Sequence, residues 1–382
     1  MGTSAGIYVH VPFCRKRCIY CDFYSVGDRV AVWGDYVTAL LEEASSRIPD
    51  MGFFSGGGPK TLYIGGGTPS LMPDEEFRRL AGGLKGLLGE TGEFTIEVNP
   101  DDVSSRKSAV WRECGVDRVS MGVQSLVDSE LMTIGRRHDA ATAKEAFYIL
   151  RKDFDNISLD LMFGLPGQTL DSLRTSVEGV VDMNPEHISV YSLMYEERTA
   201  LTRMRDSGKV AVQPEEDSIE MFRWLSSRLR EAGYEHYEIS NYARDGFRSR
   251  HNSLYWNGRP YFGLGPGAHS YDGARTRMAN LPDLRAYLSF WLEKKGDPPV
   301  GTECLGDDEL REEMIMTRLR TREGLPLDRF EAAFGSGALQ TLMTAAAPWL
   351  ECGFLLLTEN PRRLALTSRG VMVSDEIMAS LF

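Results

Sequence analysis

The chain has 382 residues, 42% hydrophobic and 26% charged, the profile of an ordinary globular protein of about two domains. Its 43 Lys and Arg against 55 Asp and Glu give a formal charge of −12, which argues against a broad basic footprint for nucleic acid or an anionic membrane. No apolar run reaches the ~18 residues of a membrane-spanning helix, and the first basic residue is Arg15, so no charged secretory leader is read. The expectation is a cytoplasmic protein that is not integral to a membrane and does not bind nucleic acid.

Ile7–Val11 reads as a first strand closed by Pro12, followed by a helix carrying Trp33, Tyr36, Val37, Leu40, Leu41 and Ala44 at helical spacing. Thr61–Ile64 is a second strand, and Pro73 opens a helix with Phe77, Leu80, Ala81 and Leu84 on its apolar face. Strands at Phe94–Val98, Arg118–Val123, Ile157–Phe163 and His187–Leu193 alternate with helices near Ser105–Cys114, through Leu150, Thr169–Val181 and Pro214–Ala232. Six strand–helix units imply a parallel sheet with right-handed crossovers. After Gly233 the pattern weakens to a strand at His236–Ile239 and a Gly/Asn/Tyr-rich stretch from Asn241 to Asn280, and Gly296–Pro299 reads as a linker. From Asp307 the chain is mainly helical, then Phe354–Thr358 and Leu364–Thr367 form a hairpin before a last helix, a winged-helix-like order. The expected divisions are a core barrel over 1–235, a barrel extension over 236–298 and the helical module over 299–382.

Six cysteines are too few for a disulfide scaffold, but Cys14, Cys18 and Cys21 fall within eight residues in the loop after the first strand. A CxxxCxxC supplies three thiolates, enough for three irons of a cubane with the fourth left open, the opening that catalytic metal sites keep. Arg15, Lys16 and Arg17 between the ligands are expected to lower the thiol pKa values. A zinc site completed by His10 is the competing reading.

Gly65-Gly66-Gly67-Thr68-Pro69 follows the second strand, Glu97 ends the third, Gln124 follows the fourth, and Asp160 lies in the fifth ahead of Gly164-Leu165-Pro166. Functional residues at the carboxyl ends of successive parallel strands are the rule for (β/α) barrels, so the expected fold is α/β, a partial (β/α)6 TIM-like barrel. A glycine run admits close backbone approach, carboxylates suit an amine and ribose hydroxyls, and Arg136 with Gln124 suits a carboxylate and polar edges. A ligand with those groups beside an open iron is S-adenosylmethionine.

The cysteine loop with the Gly-Gly-Gly-Thr-Pro run resembles the radical S-adenosylmethionine superfamily. Ile7-Tyr8-Val9-His10-Val11-Pro12-Phe13-Cys14, Glu97-Val98-Asn99-Pro100, Ser120-Met121-Gly122-Val123-Gln124-Ser125, Gly135-Arg136 and Asp160–Pro166 narrow the resemblance to the oxygen-independent coproporphyrinogen III oxidase-like group, over essentially the whole chain. The resemblance implies a radical-SAM-type barrel in which Cys14, Cys18 and Cys21 ligate a [4Fe-4S] cluster whose fourth iron takes the cofactor's amine and carboxylate. It also implies that Tyr8, Tyr20, Gly66, Gly67, Thr68, Glu97, Gln124, Arg136 and Asp160 line S-adenosylmethionine.

Two departures select a branch. The coproporphyrinogen dehydrogenases carry a further cysteine where this chain has Phe23, and an extension ahead of the first strand, which here begins at residue 7. Both differences, with Tyr237–Ala243 and the HNxxYW element His251–Trp256, match the heme-chaperone branch. That branch implies heme as cargo, a heme-acceptor protein and an electron donor of flavodoxin or ferredoxin type. His251 is the expected heme ligand, since imidazole is the commonest proximal ligand; the bland reading makes it a satisfied partner in a turn. Oxidative decarboxylation of coproporphyrinogen III and methyltransferase-like heme degradation stay open as alternatives.

Overall fold

The computed structural model describes residues 4–28, 32–49, 52 and 60–382. Strands β1 (Ala5–Val11), β2 (Lys60–Gly66), β3 (Glu93–Val98), β4 (Arg118–Gln124), β5 (Ile157–Phe163) and β6 (His187–Ser192) run parallel, each beside the next. Between and after them come α1 (Trp33–Arg47), α2 (Asp74–Leu88), α3 (Ser105–Glu113), α4 (Asp128–Thr133), α5 (Ala140–Leu150), α6 (Leu170–Met183), α7 (Ala200–Asp206) and α8 (Glu215–Glu231). Local chemistry sets several helix starts. Ser104 and Asp139 cap α3 and α5 by accepting from Lys107 and Thr142 N–H, and Thr169 with Ser172 forms a capping box at α6.

The alternation of side chains along the strands sorts the two faces of the sheet. Ile7, Val9, Leu62, Ile64, Phe94, Ile96, Val119, Met121, Leu159 and Leu161 are fully buried in one apolar cluster with Val37, Leu40, Phe77, Leu80 and Phe147 of the helices. Burying each such side chain contributes ~1.5–3 kcal/mol. The alternate positions are polar and meet across the strands: Ser158 Oγ lies 2.7 Å from His187 Nδ1, Tyr63 Oη donates to Glu97 at 2.8 Å, and Ser120 Oγ donates to Asp160 at 3.3 Å. The barrel is therefore lined with hydroxyls, carboxylates and imidazoles.

Beyond the expected units, β7 (Glu235–Glu238) and β8 (Asn241–Ala243) continue the sheet antiparallel past β6. On the other flank β9 (Tyr261–Leu264) pairs parallel with β1, a seventh parallel strand that the sequence pattern did not reveal. Three antiparallel strands follow: β10 (His269–Tyr271), β11 (Thr276–Asn280) and β12 (Val300–Cys304). The sheet order is β12-β11-β10-β9-β1-β2-β3-β4-β5-β6-β8-β7. Just past the linker expected at Gly296–Pro299, Val300–Cys304 pairs with β11 residue by residue. Glu43 of α1 ties this flank to the barrel: it is fully buried and accepts from Gly265 N–H, Asn280 Nδ2 and Tyr287 Oη at 2.7–2.9 Å.

Two further helices, α9 (Arg250–Trp256) and α10 (Leu284–Glu293), precede the C-terminal part. That part has α11 (Asp307–Leu319), β13 (Leu325–Pro326), α12 (Leu327–Glu351), the hairpin β14 (Leu355–Glu359) and β15 (Arg362–Leu366), and α13 (Ser374–Ser380). It keeps its own apolar cluster around Ile315, Leu319, Phe330 and Leu364. Helices followed by a hairpin is the order expected.

Candidate functional site

At the carboxyl ends of β1 to β6 lies a cavity of about 390 Å³. It is lined by Cys14, Cys18, Cys21, Tyr20, Gly66, Gly67, Thr68, Glu97, Gln124, Arg136 and Asp160, so the structure brings all but two of the thirteen sequence-predicted residues together. The two outside are Tyr8 and His251.

The cysteine loop is held from several sides. A short ribbon pairs Phe13–Cys14 with Val26–Gly27, and Thr68 Oγ1 donates to Cys14 Sγ at 3.5 Å. Leu201 N–H donates to Ile19 O at 2.8 Å, while Ile19 and Tyr20 pack on Ile134, Met162, Leu165 and Leu201. Arg17 donates to the carbonyls of Cys21 and Phe23 on the exposed side of the loop. Burial pushes the Cys14 and Cys21 thiols up, and Arg17 opposes this only weakly, so the expected depression by the basic trio is outweighed by desolvation. Arg15 points elsewhere, 4.0 Å from Asp102.

The glycine run makes room for the loop. Gly67 N–H donates to Val11 O at 2.7 Å, and a Cβ on Gly67 would stand 2.9 Å from Cys14 Sγ and 2.8 Å from Phe13 O. Gly66 has φ +107°, a conformation that side chains resist, and its N–H donates to Glu97 Oε2 at 3.0 Å. Glu97 thereby has both oxygens engaged, one by Gly66 and one by Tyr63. Its carboxyl is raised to about 7, by burial first, opposed by the Tyr63 hydrogen bond and pushed further by Asp160. Asp160 is raised to about 6, again by burial, against hydrogen bonds from Ser189 and Ser120 and the charges of Arg118 and Arg136.

Gln124 is one of three non-glycine residues with positive φ (+68°) among the described residues, at an irregularity in the β4–β5 register. Such strain is held where the surrounding structure imposes it, often at a binding site. Arg136 lies beneath: it donates to Gly122 O and, at 3.6 Å, to Cys18 Sγ, while its buried Nε has no partner among the described residues. Tyr8, on β1, faces His10 (Oη to Nδ1, 3.1 Å) and the Tyr63 ring, below the cavity.

His251 sits apart, on α9. Its Nδ1 lies 2.7 Å from Thr61 Oγ1 and its Nε2 2.8 Å from Tyr255 Oη, and it is 1% exposed. Both ring nitrogens are taken, and burial lowers its pKa to about 3, so it is a neutral ring with no free lone pair turned to solvent. Sequence reasoning missed Ser120, Asn99, Met162 and Tyr191, which also line the cavity. Counting two residues on from Glu97 and Asp160 reaches Asn99 and Met162, whereas Ser120 and Tyr191 stand beside Glu97 and Met162 only through the cross-strand register.

Among the described residues no three His, Cys, Asp or Glu groups converge on one point tightly enough for a single metal ion, which counts against zinc with His10, whose Nε2 is turned to Tyr24 O at 2.9 Å. Three unbridged thiols facing one cavity, a glycine cradle that any Cβ would fill, and a buried arginine nitrogen with no partner fit a cluster with an anionic ligand beside it.

Residues 8–178 match the profile of the Radical SAM superfamily and residues 305–373 that of the HemN C-terminal domain. The heme chaperone HemW of Bacillus subtilis is 35% identical over 98% of this chain and 98% of its own length, and that of Mycobacterium tuberculosis 35% identical over 100% and 95%. Radical S-adenosyl methionine domain-containing protein 1, mitochondrial, of Mus musculus is 32% identical over 99% and 87%. The solved coproporphyrinogen III oxidase (HemN) of Escherichia coli superposes with TM-score 0.83 over 100% of this chain and 90% of its own, at 21% identity. Fold and rim together define a radical S-adenosylmethionine protein, and with it the [4Fe-4S] cluster and S-adenosylmethionine that the superfamily carries. Within that class, the chain belongs to the HemW family.

Proposed function

We propose that this chain is a heme chaperone: it holds a [4Fe-4S] cluster and S-adenosylmethionine, takes heme as cargo and passes it intact to an acceptor protein. One observation carries the reading. Similarity to proteins named heme chaperone HemW runs end to end at 35% identity, whereas coproporphyrinogen III oxidase shares the fold at 21%.

In this reading Cys14, Cys18 and Cys21 hold the cluster. Tyr20, Gly66, Gly67, Thr68, Gln124, Arg136 and Asp160 surround S-adenosylmethionine, and Glu97 fixes Gly66 while presenting its charge. A bound cluster supplies one-electron chemistry, which the protein orients and shields. What the chain itself does is specific. Arg136, anchored on Gly122 O and Cys18 Sγ, offers its remaining N–H to a carboxylate. Asp160, which accepts hydrogen bonds from the Ser120 and Ser189 hydroxyls, offers its remaining acceptor capacity to a ligand hydroxyl. The Ile19–Tyr20 segment, packed on Ile134 and Leu201, keeps water from one side of the loop. An electron donor of flavodoxin or ferredoxin type and a cytoplasmic setting complete the proposal; among the described residues no helix is long and apolar enough to cross a membrane.

Anaerobic reconstitution followed by parallel assays tests this. About one heme per chain should bind and be recoverable unchanged by a heme-free acceptor, with little decarboxylation of coproporphyrinogen III. Rapid catalytic decarboxylation, or no heme binding, would overturn the chaperone reading.

A further inference from the structure

Arg118 opens β4 and is 1% exposed, among the largest side chains fully enclosed by the barrel. It forms no ion pair among the described residues, and its Nε and Nη1 are buried without a hydrogen-bond partner there. An arginine cannot shed its charge to escape such a place, and a buried cation is costly unless other charges compensate it. The register shows what compensates it. Arg118 stands opposite Thr95 and Ser120 opposite Glu97, so Glu97 is its diagonal neighbour on the same face. On the other side Ser120 donates to Asp160, which pairs with Gly122. Ser120 is thus flanked by two carboxylates, with a guanidinium one step below.

We propose that Arg118 is a positioning residue: the buried cation that draws Glu97 and Asp160 toward the carboxylate form in which they receive S-adenosylmethionine. This rests on the reading that the two face that ligand. With Arg118 the three groups sum to one negative charge, which one sulfonium balances. Without it the two carboxylates face each other inside a low-dielectric barrel, where neighbouring like charges cannot both persist. Arg118 acts on both from below and favours ionisation of each. The other groups facing the pair are Tyr8, Tyr63, Tyr191 and Tyr255, the cation Arg136 and, deeper, Glu93, His187 and His251. Both imidazoles are held neutral chiefly by burial, so among the described residues Arg136 is the other cation that faces the pair.

The test is S-adenosylmethionine affinity against pH in the reconstituted protein, for the parent, Arg118→Met and Arg118→Lys. Arg118→Met should move the midpoint of the pH profile up by about one unit or more, so that affinity near pH 7 drops about tenfold and recovers near pH 9. Arg118→Lys, which retains the charge, should track the parent. Iron and sulfide content should be unchanged in both. If Arg118→Met does not fold, Arg118→Gln takes its place. A charge-free variant that weakens binding equally at every pH, or not at all, overturns the proposal while leaving the cofactor assignment standing. A parent that binds no S-adenosylmethionine overturns the assignment itself, and the proposal with it.

Discussion

Thr61 Oγ1 and His251 Nδ1 meet at 2.7 Å at the closed end of the barrel, with Tyr255 Oη on the opposite ring nitrogen at 2.8 Å. The imidazole is wedged tightly as well, since a Cβ on Gly6 would approach its Cε1 to 3.0 Å. His251→Ala should therefore leave two hydroxyls unpaired over a small void, costing roughly 3 kcal/mol of stability. Thermal unfolding should show the loss, while the Soret band of heme-loaded protein keeps its position. A displaced Soret band would mean that the ring leaves Thr61 or Tyr255 to take heme.

The cysteines divide into two groups by position. Cys14, Cys18 and Cys21 line one cavity, whereas Cys114 caps the C-terminal end of α3, and Cys304 and Cys352 are exposed. Alanine at any of the first three should abolish reconstitution of iron and sulfide, and alanine at any of the last three should leave both near parental amounts. Stoichiometric zinc without sulfide in anaerobically isolated protein would contradict a cluster.

Glu97 and Asp160 set a pH dependence whose sign follows from their direction of shift. Glu97 rises from 4.5 to about 7 and Asp160 from 3.8 to about 6 on folding, so between those values the folded chain binds more protons than the unfolded one. Stability is then greatest at low pH and falls as pH rises through the folded values, by on the order of 3 kcal/mol for Glu97. The cluster-free protein Glu97→Gln does not ionise there. Its melting temperature relative to the parent should increase from about pH 5 to about pH 8. A constant difference across that range would show that Glu97 is not buried as an acid.

Most of the barrel could be read before the structure because its strands are short β-branched runs separated by helices of clear 3.6 period. The rim followed from Glu97 and Gln124 at the ends of the third and fourth strands and Asp160 within the fifth, ahead of Gly164. What escaped has physical reasons. Tyr261–Leu264 is four residues long and lies among glycines and tyrosines, with no amphipathic helix of its own to announce it as a parallel strand. Gly296–Pro299 has linker composition, yet the next five residues pair with β11, a tertiary fact that composition does not carry. Arg118, His187 and Thr61 alternate with apolar residues as a half-exposed strand would. Only the tertiary structure, with these side chains buried, shows that their polar face points inward. His251 carried a motif whose chemistry suited a ligand, and only the partners of its two nitrogens speak against that role.

The glycines offer a last, sharply local prediction. A methyl on Gly67 would need to displace Cys14 Sγ, Phe13 O and Val11 O, all within 2.9 Å of its ideal Cβ, and two of these are backbone atoms that cannot move cheaply. Gly86, on the exposed side of α2, has nothing within 4 Å of the same position. The two substitutions should therefore differ in sign. Gly86→Ala removes a weak helix former and should stabilise the fold by roughly 0.5–1 kcal/mol without touching the site. Gly67→Ala should push the cysteine loop away from the strand ends, leaving the barrel folded by circular dichroism but lowering reconstituted iron and S-adenosylmethionine binding together. Full cluster occupancy with normal cofactor affinity in Gly67→Ala would show that the loop approaches the glycine run less closely than the 2.9 Å between that Cβ and Cys14 Sγ requires.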